Sequence, residues 1–128
     1  MLLALRADCA QRMPLEACGL LLGDAGLIRE ARPAANVAAN PARHFEIDPA
    51  VLFTAHRAQR AGGPDIVGCY HSHPEAPARP SSTDAERAFD VGWVWIIVGS
   101  DGEKAYRVVP GGGIFGRFEA QDLEIVEG

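Results

Sequence analysis

Residues 93–98, Trp-Val-Trp-Ile-Ile-Val, carry no polar side chain on either face of a strand. Side chains alternate sides along a strand, so a run apolar on both sides has to be covered from both sides. Such a strand belongs in the middle of a sheet lying between further layers, which the rest of the chain must supply. A helix is predicted at 2–12, where Leu2, Leu5, Cys9 and Met13 recur near helical spacing until Pro14 ends the run. A second starts at Asp48-Pro49, a capping carboxylate with proline at the first helical position, and runs to Ala61 before Gly62-Gly63. A third is predicted from Ser82 to Val91. Residues 17–22 and 27–31 read as strands on either side of a turn at 23–26, and 65–73 as a strand entering a loop. Residues 104–109 read as a strand returning from the Ser100-Asp101-Gly102 turn. Residues 32–47 read as irregular, the glycines at 111–113 as a flexible connection, and 114–119 and 122–126 as short final strands. The sum is an α/β fold, one domain over 1–128, with a mixed central β-sheet flanked by about three helices.

Charge and cysteine usage narrow the function. The net charge is −5 and the one lysine is Lys104, so no basic patch offers itself to a phosphate backbone and nucleic acid is not an expected partner. Three cysteines, Cys9, Cys18 and Cys69, with no C-x-x-C pair, read as small buried apolar groups in a reducing compartment. The start, Met-Leu-Leu-Ala-Leu-Arg-Ala-Asp, is broken by Arg6 and Asp8 before it could act as a secretory signal. No apolar run is long enough to span a membrane. The expected setting is the cytoplasm.

The chemistry concentrates in residues 69–84, Cys-Tyr-His-Ser-His-Pro-Glu-Ala-Pro-Ala-Arg-Pro-Ser-Ser-Thr-Asp. On a strand His71 and His73 point to the same face, their backbones about 6.6 Å apart, close enough for two imidazoles to lean onto one ion. A loop with three prolines then turns the chain, so that Asp84 at the start of the next helix can return as a third ligand. Two neutral imidazoles and one carboxylate leave a tetrahedral ion one open position, the mark of a catalytic zinc site. Each part also has a plainer explanation. A His-x-His pair is often an ordinary surface or core pair, Ser81-x-x-Asp84 is a helix capping box, and Glu16 alone is an anonymous surface glutamate. Cys69 shares the strand face of the histidines, where a thiol ligand would crowd the ion. His44 and His56 read as surface residues.

Taken together, His71-Ser72-His73, the seven residues 74–80, Ser81 and then Asp84 after a two-residue gap resemble the signature of the JAMM family, the MPN-plus metalloproteases. Upstream, Pro-Leu-Glu-Ala-Cys-Gly-Leu-Leu-Leu-Gly at 14–23 is similar to that family's opening and supplies Glu16. The resemblance implies the MPN/JAMM fold, which is cytidine-deaminase-like, and one zinc per chain held by His71, His73 and Asp84. It implies that Glu16 works a zinc-activated water as general base and then general acid, and that the Ser81 hydroxyl donates to the developing oxyanion.

The short loops resemble the compact prokaryotic type. The implied reaction is hydrolysis of the peptide or isopeptide bond after the C-terminal Gly-Gly of a ubiquitin-like or sulfur-carrier protein, release of cysteine from a carrier being one such activity. His73-Pro74-Glu75-Ala76 departs from the RadC-like variant, His-Asn-His-Pro-Ser-Gly. The zinc deaminases are disfavoured because their P-C-x-x-C signature is lacking. A non-catalytic MPN scaffold module in a protein complex is the alternative, disfavoured because every motif position is filled. The family usually opens with a strand before its first helix, yet 13 residues precede Pro14. A homodimer is therefore expected, with a partner completing the exposed sheet edge.

Overall fold

The computed structural model describes residues 1–24 and 27–123. In chain order the elements are α1 (Leu2–Arg12), β1 (Cys18–Asp24), β2 (Leu27–Ala34), α2 (Pro49–Arg60), β3 (Asp65–Ser72), α3 (Ser82–Arg87), β4 (Val94–Gly99), β5 (Gly102–Val108) and β6 (Phe118–Gln121). The strands form one sheet in the order β2-β1-β3-β4-β5-β6. β3 and β4 run parallel and the other neighbours antiparallel, so the sheet is mixed. The doubly apolar run became β4, and its alternation sorts the core. Trp95 and Ile97 join Cys18, Leu20, Cys69, Tyr106 and Phe118 on the face that receives Ala55 of α2 and Ala85 of α3. Val94 and Ile96 join Leu21, Tyr70 and Ala105 on the opposite face, beneath Leu5 and Cys9 of α1. No helix among the described residues is long and apolar enough to cross a membrane.

One glycine is needed for the central pairing. A Cβ at Gly68 of β3 would lie 1.8 Å from the Val94 carbonyl oxygen of β4, so any side chain there would force the parallel pair apart.

Several boundaries differ from the sequence expectation. β2 continues through Pro33 to Ala34, because an edge strand can spare the N–H that proline lacks. α3 stops at Arg87 rather than Val91. Phe89 and Val91, beyond its end, are exposed where the chain turns back into β4. Residues 111–113 are not a loose connection: Gly111 N–H donates to Gly116 and Gly112 N–H to Val109. Residues 114–117 form a tight turn with Phe115 and Gly116 at positive φ, and the strand begins only at Phe118. Residues 25–26 of the expected turn, and 124–126 of the last expected strand, lie outside the described residues.

Candidate active site

The antiparallel pairing of β1 with β3 sets Cys18 opposite His71 and so brings the start of β1 to the histidine end of β3. Ser72, the residue between the histidines, closes this corner. Its hydroxyl accepts the Ala17 N–H at 2.8 Å, and its own N–H donates to the Ala17 carbonyl at 3.1 Å. Glu16, one residue earlier, is clamped from the other side. Its N–H donates to the Pro41 carbonyl at 2.8 Å, and its carbonyl accepts from Asn36 Nδ2 at 2.9 Å.

His71, His73 and Asp84 meet at one point. His71 Nε2 lies 3.1 Å from His73 Nε2 and 3.2 Å from Asp84 Oδ2, and His73 Nε2 lies 3.3 Å from the same oxygen. Ligand atoms on a tetrahedral ion with bonds of about 2.0–2.1 Å stand about 3.3 Å apart, so the triangle has the size of one face of such a site. The donor chemistry also fits. His73 Nδ1 faces the Pro77 carbonyl at 3.1 Å, which can only accept; Nδ1 therefore carries a proton, and Nε2 is the nitrogen that would bind an ion on losing its own. His71 is fully buried, stacked on Phe45 at 4.2 Å and edge-on to Trp95, and its Nδ1 has no partner. Only Nε2 of that ring is aimed at anything that could share a ligand. Two carboxylates flank the pair. Asp84 touches both rings, whereas a Glu16 carboxylate oxygen comes within 4.8 Å of both ring nitrogens and makes no hydrogen bond or ion pair with either. The Glu16 gap is the width of an intervening water.

The electrostatics divide the two carboxylates. Burial raises Glu16; the nearby His73 lowers it and Asp84 raises it, leaving its pKa at about 7. Burial also works against the charge of Asp84, but the charge and hydrogen bond of His71, the bond from His73 and the Ser81 N–H outweigh it and hold this carboxyl far below the usual range. Burial holds His71 below the usual histidine value against the opposing pull of Asp84. Burial lowers His73 too, yet its hydrogen bond to Asp84, the Asp84 charge and the Pro77 carbonyl bring it out above the ordinary value.

Ser81 and Asp84 form the capping box at the start of α3: Asp84 N–H donates to Ser81 Oγ at 3.0 Å, and Ser81 N–H to Asp84 Oδ2 at 2.9 Å. The cap and the metal-facing geometry coexist, since Oδ2 serves both. The Ser81 hydroxyl accepts in this box and keeps its own proton free to donate into the cleft. That cleft, about 620 Å³, is lined by Glu16, Arg43, His73, residues 74–77, Arg79 and Ser81. Its 74–80 wall is held against the β4–β5 turn: Ala78 N–H donates to Asp101, Tyr106 OH to the Ala78 carbonyl, and Ser100 N–H to the Ala76 carbonyl. Gly99 allows this approach, because a Cβ there would lie 2.2 Å from the Ala78 nitrogen. Cys69 packs in the core and lies outside the cluster, and His56 is exposed.

Asn36 is a residue whose part here the sequence did not reveal. Its amide donates to the carbonyls of Glu16 and His44 and accepts from the N–H groups of Ala38 and Glu46. All its capacity goes into tying Glu16 to the segment that carries Phe45. Asn36→Ala is expected to lower stability by about 2–4 kcal/mol, as four backbone groups lose a partner together; thermal denaturation checks this, and an unchanged melting temperature would rule it out.

Residues 1–109 match the family model described as prokaryotic homologs of the JAB domain. The chain is 43% identical over 99 residues to the desampylase of Haloferax volcanii, covering 76% of this chain and 71% of that one. It is 33% identical over 108 residues to the probable TtuB-protein conjugate cleaving protease of Thermus thermophilus, covering 83% and 70%. The solution structure of a Desulfitobacterium hafniense protein superposes with a TM-score of 0.82 at 29% identity, over 99% of this chain and 89% of that one. A sheet that gathers two histidines, two carboxylates and a capping serine at one corner thus agrees with the sequence match, and the chain belongs to the prokaryotic JAB-domain family, the compact branch of the JAMM hydrolases.

Proposed function

We propose that this chain is a zinc-dependent peptidase or isopeptidase that hydrolyses the amide bond after the C-terminal Gly-Gly of a ubiquitin-like or sulfur-carrier protein. The carrying observation is the triangle of His71 Nε2, His73 Nε2 and Asp84 Oδ2, with the Glu16 carboxylate one water away. His71, His73 and Asp84 would hold the zinc. When bound, zinc supplies a water whose pKa is brought to about 7 and a positive charge for the substrate carbonyl. Glu16 accepts the proton of the attacking water on its carboxylate and delivers it to the departing amine. A carboxyl with a pKa of about 7 is suited to both halves of that task near neutral pH. Ser81 points its remaining hydroxyl proton at the carbonyl oxygen as that oxygen becomes negative, a contact of the kind worth roughly 2.7–4 kcal/mol. Support for the substrate class comes from relatives named for cleaving conjugates of small carrier proteins. The three free, buried cysteines suit a reducing cytoplasm.

Metal content by mass spectrometry tests the reading. Protein purified without added metal is expected to carry about one zinc per chain, His73→Ala none, and only the former to cleave a carrier extended beyond Gly-Gly. Zinc-loaded wild-type protein that leaves every such carrier intact would reject the activity. Self-association through the sheet edge would have to overcome Pro33 and the charged Arg29, Glu30 and Arg32 of β2, all of which blunt strand pairing. A dimer is expected in light scattering at high concentration; a species that stays monomeric removes it.

A further inference from the structure

Two arginines line the cleft that contains Glu16 and His73: Arg43, from the segment after β2, and Arg79, from the 74–80 loop. Both are exposed. Arg12, Arg29, Arg32, Arg87 and Arg107 are each tied to a carboxylate, a carbonyl or an amide oxygen. Arg43 and Arg79, among the described residues, have no side-chain hydrogen bond or ion pair, and Glu75 on the same cleft pairs with neither. Their side chains are free, but their backbones are not. Arg79 follows Ala78, which is fully buried and held by Asp101 at its N–H and by Tyr106 at its carbonyl. Arg43 N–H donates to the Asn40 carbonyl, Asn36 holds the carbonyl of the next residue, and Phe45 beyond it is stacked on His71. A chain of net charge −5 therefore keeps two unpaired guanidinium groups on fixed supports beside its reacting groups.

Resting on the peptidase reading above, we propose that Arg43 and Arg79 bind a carboxylate of the leaving group, so that the preferred substrate releases an amino acid whose free carboxylate lies next to the scissile nitrogen. Guanidinium forks match carboxylates in charge and geometry. The acyl side of the bond cannot supply the anion locally, because a Gly-Gly tail has no side chains. In an amino acid linked through its α-amine, the carboxylate carbon stands two bonds from that nitrogen. In a lysine isopeptide four methylenes intervene before the α-carbon, whose carbonyl is itself part of a chain. Acidic side chains on the carrier body are the other source of the same chemistry, and the experiment separates them.

Ubiquitin extended by one alanine after its Gly-Gly, with a free or an amidated terminus, is the cleavage probe for the zinc-loaded wild type and the R43Q/R79Q double variant. Acetyl-Gly-Gly-Ala and its carboxamide are the binding probes, titrated by NMR into the metal-free forms so that the carboxylate has no ion to ligate. The wild type is expected to favour the free acid by roughly ten- to a hundredfold in kcat/KM and in Kd, the size of charge-assisted hydrogen bonds. The double variant is expected to treat acid and amide within about twofold. Equal treatment by the wild type, or a preference that survives in the variant, overturns the proposal. So does an equal loss on acid and amide in the variant, which would assign the arginines to the carrier body. A binding preference that depends on the arginines, seen with no cleavage of either probe, supports the carboxylate site and rejects the peptidase reading instead.

Discussion

Glu16→Gln is expected to lower hydrolysis by roughly a hundred- to ten-thousandfold, the range of a general acid–base group, while making the metal-free protein more stable above pH 7. Both effects come from one property. The folded protein raises the carboxyl from its ordinary value of 4.5 to about 7, mainly by burying it. A carboxyl whose folded pKa is raised leaves stability intact below the unfolded value, and that stability is lost as pH rises through the folded value. The loss therefore develops between pH 4.5 and about 7, and is complete above it. Taken in full, such a shift amounts to about 3 kcal/mol; because the side chain opens on a cleft, about 1–2 kcal/mol is the working expectation. At about 3–5 °C per kcal/mol for a domain of this size, the glutamine variant should melt several degrees higher at pH 8 and coincide with the wild type near pH 4. Thermal denaturation across that range decides it. Superimposable curves at every pH would mean that the Glu16 carboxylate is solvated, and an active variant would remove it from proton transfer.

Asp84→Asn carries the second large effect. Its carboxylate is held ionised by two imidazoles and the Ser81 N–H, so its stabilising contribution is present above about pH 3.8 and is lost only as the solution is made strongly acidic. Removing that charge from between two buried rings should destabilise the metal-free protein by about 3–5 kcal/mol. Zinc affinity should fall by more than the roughly 10–100-fold typical of an outer-shell partner. Ser81→Ala loses a cap hydrogen bond, about 1 kcal/mol, and leaves the carboxylate in place, so it should keep its zinc. Metal content and melting temperature of both variants, beside Glu16→Gln, also choose between the two possible donor sets. If Asp84→Asn stays loaded and Glu16→Gln does not, Glu16 completes the site with His71 and His73, and the carboxylates exchange roles.

Local rules sufficed where the determining contacts are local. The apolar 93–98 run located the central strand, and Asp48-Pro49 and Ser81-x-x-Asp84 marked two helix starts that carry the expected caps. The spacing of His71, His73, Ser81 and Asp84 within fourteen residues of chain was enough to gather them. What stayed hidden depends on distant backbone atoms. Ser72 reaches Ala17 across 55 positions and Asn36 reaches Glu16 across 20, and both act on main-chain groups that any residue type provides. Phe45 looked like one apolar residue in an irregular stretch, and only the fold lays it on His71. The end of α3 was misjudged as well: the helix expected to reach Val91 stops at Arg87, and Phe89 and Val91 beyond it are exposed.

The two apolar clusters, one on each face of the sheet, have a consequence for how the protein would acquire its ion. Each is covered by its own helices, and the His71 ring adds to the first through Phe45 and Trp95 without any ion being needed to close it. In the smallest zinc domains the ion replaces a missing core, so stripping the metal unfolds the chain. Two apolar cores of this kind predict that a zinc ion would load onto an already folded chain. Chelation should yield a folded, dormant protein that regains function when zinc returns, and the free zinc level, rather than synthesis or turnover of the chain, would then set how much of the pool is at work.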